Sequence, residues 1–425
     1  MLLVHTQKVT PRLDYAFKHI CTRILGIKVE FTSVIENFIQ HQGLKLSYGK
    51  QPIGNEFFIQ ANGLLWEQGF EDVEITISEW EESICFFSVG ERSDLPFDIF
   101  SAAFYLLSRY EEYLPHVKDE LGRFPAKESL AYKKGFLQQP VVDQWAYKFS
   151  DILFGKFPEE QRKARKLTTH HLIDASRPFR FAQRGPLRNT AGYFRDLAKF
   201  KLKRVIERSR VLLKLRKDPY NTFTWIINNL KNSEVRYTMF FLIGEAYTFR
   251  ESLNTKREKF RMLVKYVADY AEVGLTLSFH SLDNFSELKN EKRQMEELTH
   301  RQLKSTIIDK SLLALPHNYR NLIELEVERD FSMFYEHSLG FRGSTCTPFL
   351  FYDLDFEVKT PLVIHPVIGR TDVLEAEKSS EIERVMNTIK ENVNKVNGTF
   401  SLLYSNKDFV SNKSNRVWRH LFSEN

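Results

Sequence analysis

Apolar residues recur at helical spacing through FDIFSAAFYLLSRYEEYLP, from Phe97 to Leu107, and Pro115 closes the stretch, so a buried helix is predicted there. Around it the first 160 residues carry short apolar runs, 56–59 and 73–77, that read as strands. GRFPAKESLAYKKGFLQQPVVDQW, with Gly, Pro and isolated apolar anchors, reads as an extended crossing segment. The pattern changes after PEEQRKARK, residues 158–166, a charged stretch that marks a boundary. Beyond it apolar runs suited to strands, at 166–173, 235–243, 274–279, 305–309, 330–334, 361–366 and 398–404, alternate with longer pieces. Of these, 260–270, 288–303 and 380–396 show helical spacing. Connections of that length join parallel strands through crossovers. The economical arrangement is a seven-stranded, closed or nearly closed α/β barrel over residues 161–425, preceded by a smaller α+β domain over residues 1–160. Functional groups in such barrels gather where strands end. That rule selects Asp174, Ser176, Gly244, Glu245, His280, Asp309, His365, Ser405 and Asn406. Internal repeats and low-complexity tracts are absent.

Composition narrows the class. A chain of 425 residues, 42% of them hydrophobic and 36 of them Phe, exceeds one ordinary core and predicts two domains. A net charge of +6 is small for that length and does not call for a nucleic-acid partner. Cys21, Cys85 and Cys346 are far apart and unpaired in pattern, which fits a reducing compartment and argues against a thiolate zinc site. Cys346 has no base beside it in sequence and reads as a packed residue of a tight loop. The start, MLLVHTQKVTPRLDY, lacks a secretory pattern, and the longest apolar run, 239–243, is far below the roughly 20 residues of a membrane span. A cytoplasmic location with at most peripheral membrane contact is expected.

One segment departs from this bland picture. RDLAKFKLKRVIERSRVLLKLRK, from Arg195 to Lys217, sets ten basic residues against Asp196 and Glu207. The spacing of its Leu, Val and Ile residues suits one amphipathic helix or a pair, with the basic groups on the open face. Such a face either attracts an anionic membrane or acidic glycan or is simply solvated. Aromatic residues expected near strand ends (Phe179, Phe181, Phe279, Phe349, Phe351 and Tyr352) either stack on sugar rings or pack loops. Arg342, in GFRGSTC, either forks onto a ligand or ties its loop to Asp353.

Several longer stretches occur together and in order: FDIFSAAFYLLSRYEEY and GRFPAKESLAYKKGFLQQPVVDQW, then RGPLRNTAGYFRDL, KDPYNTF, LPHNYRNLIEL and GFRGSTCTPFLFYDL. In these the chain resembles the polysaccharide deacetylase-like proteins of Bacteroidetes, which carry an uncharacterised N-terminal domain before a carbohydrate esterase family four barrel. The resemblance implies a deacetylase-type (β/α)7 barrel. It also implies a site in which an Asp, His, His set holds a divalent cation, usually zinc, while a second Asp acts as base. Metal is needed because it lowers the pKa of bound water from roughly 16 to about 7. Matched residue by residue, the base position falls on Asp174 and the ligand Asp on Ser176. Thr276 stands for the first His, His280 for the second, and Ser405 for the general-acid His, while STIIDKS leaves Asp309 at the fourth strand end. His280 is then the single retained ligand, and no tightly bound catalytic zinc is expected.

A rebuilt zinc site would have to draw on His170, His171, Asp174, His280 and His365. Strand geometry, however, sends His170 and His171 to opposite faces, one to the interior and one to the outer layer. A Ser176, His280, Asp174 triad lacks the GxSxG elbow. The resemblance therefore implies a divergent deacetylase-like protein of surface or extracellular polysaccharide metabolism. Its expected role is glycan-binding or accessory, with Arg342, Asp309, His365 and Asn406 at the carbohydrate. The alternatives are a hydrolase with an altered ligand set, in which Asp174 and His280 keep their roles, and a scaffold that recruits a partner enzyme.

Overall fold

A computed structural model describes residues 1–160, 165–231, 235–248 and 253–424. In the first part, β1 (Leu2–His5), β2 (Val29–Thr32), β3 (Lys45–Gly49) and β4 (Phe57–Gln60) form one sheet in the order β2-β1-β3-β4, parallel throughout. A segregated α+β arrangement is thus not what forms. The connection from β1 to β2 carries the helix Pro11–Phe17 and its continuation Lys18–Ile24, long enough to cross over and return parallel. A hairpin, β5 (Ile77–Trp80) and β6 (Ser83–Phe86), follows; the run at 73–77 becomes a strand only from Ile77.

The helix predicted from Phe97 forms as Ile99–Leu107, with every residue buried. Asp98 caps it: Oδ1 accepts from the Phe100 and Ser101 amides, and Oδ2 accepts from Tyr48 at 2.7 Å and from the Asn62 amide at 2.8 Å. It stops well before Pro115, at Arg109, which is left-handed (φ 57°). The segment expected to run extended instead contains the helix Val141–Lys156. Val141, Trp145, Phe149 and Leu153 recur every fourth residue on its buried face. The Gly and Pro content just upstream disguised that period.

The second part builds a curled eight-stranded mixed sheet. Each of the seven predicted strands has a counterpart, although the run at 330–334 yields only a two-residue strand: β7 (Thr168–Asp174), β8 (Arg236–Leu242), β9 (Glu272–Leu277), β10 (Ser305–Ile308), β11 (Arg329–Asp330), β13 (Val358–Ile364) and β14 (Thr399–Ser405). Their order is β13-β11-β10-β9-β8-β7-β14, parallel throughout. An eighth, β12 (Phe349–Asp353), adds antiparallel to β13 across the short connection 354–357. Past β13 the backbone reaches the far edge: Ile368 N donates to Ser401 O at 2.9 Å and Leu403 N to Gly369 O at 3.0 Å. The segment after β13 thus lies along β14 and curls the sheet toward a barrel. Leu172, Phe240, Ile307, Phe331, Phe334, Val367 and Leu403 fill the interior.

β12 packs on both parts of the chain, with Phe351 against Tyr319 at 5.0 Å. Tyr15 donates to Leu350 O at 2.8 Å, and the Tyr352 ring meets Tyr15 and Phe104, each at 5.1 Å. Arg342 is likewise committed to the protein, at the wall of a cavity of about 190 Å³ away from the strand-end mouth. It is buried, forked onto Glu112 at 2.6 and 2.8 Å, while Asp353 is held by Arg320 at 2.6 Å. The following residues accept the helix Val141–Lys156: Val142 N donates to Ser344 O, and Asp143 takes hydrogen bonds from Thr345, Cys346 and Thr347. One continuous hydrophobic cluster therefore runs from Leu2 to Phe422. Of the boundary stretch 158–166, residues 161–164 lie outside the described residues.

Candidate functional site

Strand alternation decides where the β7 histidines go. His170 faces the interior, its Nε2 2.9 Å from Thr238 Oγ1 and its ring edge-on to Phe331. His171 faces outward and stacks on Phe422 at 4.6 Å, in the C-terminal helix Arg416–Ser423. His365 stacks on Phe331 at 4.6 Å. Burial pulls His170 down to about 4 and His171 and His365 to about 3, so all three are neutral packing residues at physiological pH. None of them reaches the opening above.

That opening is a cavity of about 250 Å³ at the strand ends, lined by Asp174, Ser176, Asp309, Lys310, Glu336 and Arg370 among others. Asp174 ends β7. Its Oδ1 accepts from the Ser176 amide at 2.9 Å, and its Oδ2 faces Arg370 at 3.3 Å. Burial opposes its ionisation, but the Arg370 charge and the Ser176 hydrogen bonds outweigh that and hold the carboxyl below its ordinary value. Asp309 opens the turn after β10. Burial first, and the Asp174 charge second, push it up to about 6. Among the carboxyl groups lining the mouth, these two thus have separated proton affinities, with the Arg370 cation beside Asp174.

Asp309 binds protons more readily folded than unfolded, so its ionisation opposes folding, fully above about pH 6 and progressively less toward pH 4. Replacing Asp309 by Asn is expected to stabilise the protein at pH 7.5 by about 1–3 kcal/mol. Urea unfolding should show that gain shrinking steadily below pH 6. A gain of the same size at pH 4.5 and 7.5 would exclude titration of Asp309 as its source.

Other forecast residues are placed differently. His280 is exposed on the turn Phe279–Ser281 and is not among the residues lining the mouth. Buried Glu291 fixes that turn, accepting from Ser278 Oγ at 2.5 Å and Ser281 Oγ at 3.2 Å. Gly244 lies against the same Glu291 carboxyl, where a Cβ would stand 1.9 Å from Oε1. Thr276 is buried and accepts from Ser176 Oγ at 3.3 Å. Asn406 is buried; its Nδ2 donates to Arg177 O and Tyr220 O at 3.2 and 2.8 Å, pinning two loops together. Ser405 lines the mouth and caps the turn Asn406–Phe409 together with Asp408.

Sequence reasoning missed Arg370 and Glu336. Arg370 directly follows residues 368 and 369, which do not read as a strand, so the strand-end rule stopped at His365. Glu336 closely follows the interior residues Phe331 and Phe334, and the same rule applied there would have reached it. Its Oε2 is buried without a hydrogen-bond partner. It also lines an adjoining cavity of about 190 Å³ with Arg123 and His337.

The donors do not fit zinc. Ser176 and Thr276 bond to each other, His280 lies elsewhere, and the free side of Asp174 is taken by a guanidinium. Among the described residues no group of three or more His, Cys, Asp or Glu is gathered to hold a metal ion.

Residues 2–158 match a family of unknown function, DUF7033. No curated protein matches the chain. Among solved structures it is similar to a candidate polysaccharide deacetylase from Mycobacterium smegmatis, at 11% identity and TM-score 0.38 over 63% of this chain and 87% of that one. It is also similar to a CE4-family pseudoenzyme from Bacillus anthracis, at 12% identity and TM-score 0.26 over 56% of this chain and 64% of that one. A mutant of that pseudoenzyme with restored activity matches at 12% identity and TM-score 0.27, over 58% and 68% of the two chains.

Proposed function

We propose that this chain is a divergent polysaccharide deacetylase-like protein. In this reading a first domain, 1–160, precedes a deacetylase-type (β/α)7 barrel, 161–425, whose strand-end mouth binds a carbohydrate without metal-dependent N-deacetylation. Its role is accessory to surface or extracellular polysaccharide metabolism. The cytoplasm is the proposed location, in keeping with Cys21, Cys85 and Cys346, all free and buried. Among the described residues no helix is long and apolar enough to cross a membrane.

The Arg370–Asp174 pair carries the reading. A guanidinium supplies the positive charge that a base carboxylate in this position would otherwise share with a cation, and it repels a dication from the same space. Asp309 and Glu336 add acceptors, Lys310 and Ser405 add donors, and Tyr220 adds an aromatic wall. Vicinal hydroxyls, each both donor and acceptor, suit such mixed surroundings.

The separated carboxyl groups of Asp174 and Asp309 favour a second reading, a metal-independent acid–base hydrolase. One experiment addresses both. Calorimetric titration with N-acetylglucosamine oligomers should give the same affinity in EDTA and in added zinc, with no acetate released in either. Arg370→Gln should weaken binding at least about tenfold. Zinc-dependent acetate release would overturn the proposal. Product formed in EDTA, with a pH limb near 6, would install the second reading in its place.

A further inference from the structure

The basic segment forms part of a pair of helices, as its periodicity allowed, but not with the apolar face turned inward. Helices Pro186–Ala198 and Leu202–Leu212 pair as a hairpin around a polar seam. Buried Arg208 reaches Asp196 at 2.6 Å and Asn189 at 3.2 Å, and Tyr193 meets Ser209 at 2.8 Å. Gly192 makes room for that arginine, since a Cβ would stand 2.2 Å from the Arg208 guanidinium and displace it. With the polar groups turned inward, the apolar ones are left outside. Phe194 is 74% exposed, Phe200 88%, Leu187 79% and Leu215 75%. Ordinary solvated helices do the reverse. Two large aromatics this exposed on one small element mark a surface made to be covered. Interleaved with them, Lys199, Lys201, Lys203, Arg204, Lys214 and Lys217 are also exposed.

Beneath the hairpin lies a cavity of about 490 Å³ lined by Arg177, Arg180, Arg184, Arg195, Arg204 and Arg208, with Asp196 the single carboxylate among its lining residues. It shares Arg177 and Tyr220 with the mouth. So dense a guanidinium lining suits phosphate oxygens, which accept forked hydrogen bonds.

We infer that the hairpin docks the protein on an anionic phospholipid surface. Phe194, Phe200, Leu187 and Leu215 enter the interface, the exposed lysines meet the headgroups, and the arginine-lined cavity receives a headgroup phosphate. Exposed aromatic and aliphatic side chains ringed by cations are complementary to both layers of such a surface, apolar below and negative above. A second copy of this chain would bring the same positive charge and be repelled. The inference does not depend on the carbohydrate reading.

Co-sedimentation of the full chain tests it. Binding to vesicles of phosphatidylglycerol and phosphatidylcholine should exceed binding to phosphatidylcholine alone at least about tenfold and fall sharply by about 0.5 M salt. Phe194→Ser with Phe200→Ser should remove at least about tenfold of that affinity without lowering the unfolding temperature, since neither ring is packed. Arg204→Gln should cost roughly fivefold. Three results would overturn the inference: no sedimentation with anionic vesicles, self-association that the double Ser variant abolishes with no vesicle binding, or binding of inorganic pyrophosphate without binding to vesicles.

Discussion

Glu112→Gln is expected to destabilise the protein by about 3–5 kcal/mol, the range for an ion pair broken inside a protein. Glu112 is 4% exposed and sits between two buried guanidiniums, Arg109 at 2.8 Å and Arg342 at 2.6 Å. Burial alone would raise its pKa, but Arg342 and Arg109 outweigh burial and bring it down to about 2. Arg109 keeps Glu111 as a partner at 2.7 Å. Arg342, without Glu112, keeps a long hydrogen bond to Phe334 O at 3.3 Å, too little to offset a charge out of water. Because the folded pKa lies below the unfolded value, the stabilisation is fully present above about pH 4.5 and is lost as pH falls toward 2. Guanidinium unfolding should therefore show a large deficit for the variant at pH 7 that narrows at pH 3. A double variant, Glu112→Gln with Arg342→Met, should lose less than the sum of the single changes. Additive losses would show that the pair is not coupled.

Asp143→Ala comes next, at about 3 kcal/mol. Asp143 is fully buried on the helix Val141–Lys156 and accepts from Thr345 Oγ1 at 2.5 Å, the Cys346 amide at 3.0 Å and the Thr347 hydroxyl. Alanine would leave all three donors without this acceptor among buried residues 345–347. Asn keeps one carbonyl oxygen and should recover roughly half of the loss. Thermal unfolding of the two variants measures this directly; an alanine variant within about 1 kcal/mol of the parent would mean that water or a loop shift replaces the carboxylate.

Both changes fall where the two parts of the chain meet, and neither residue stood out in the sequence. The strands were legible because parallel strands buried on both faces read as continuous apolar runs, as 236–242 does. β12 was not, since a strand joined by a short hairpin connection needs no crossover to announce it. At the mouth, Asp174 and Asp309 follow recognisable strands, whereas Arg370 follows backbone that bonds to β14 without an apolar run of its own. The hairpin shows a different limit. Periodicity reveals that a helix has two faces but not which one turns inward, and here buried Arg208 and Asp196 reverse the usual choice. Contacts such as Glu112 with Arg342 join residues 230 positions apart, and no local pattern encodes them.

The segment that lies along β14 gives the mouth an unusual dependence. Ile368 and Gly369 are fastened to β14 by two main-chain bonds, and the next residue is the arginine that faces Asp174. Were those bonds to part, Arg370 would be carried off and Asp174 would lose the strongest charge that holds it ionised. Charge balance at the opening and attachment of this segment to β14 are then a single property, and anything that pries at one is felt by the other.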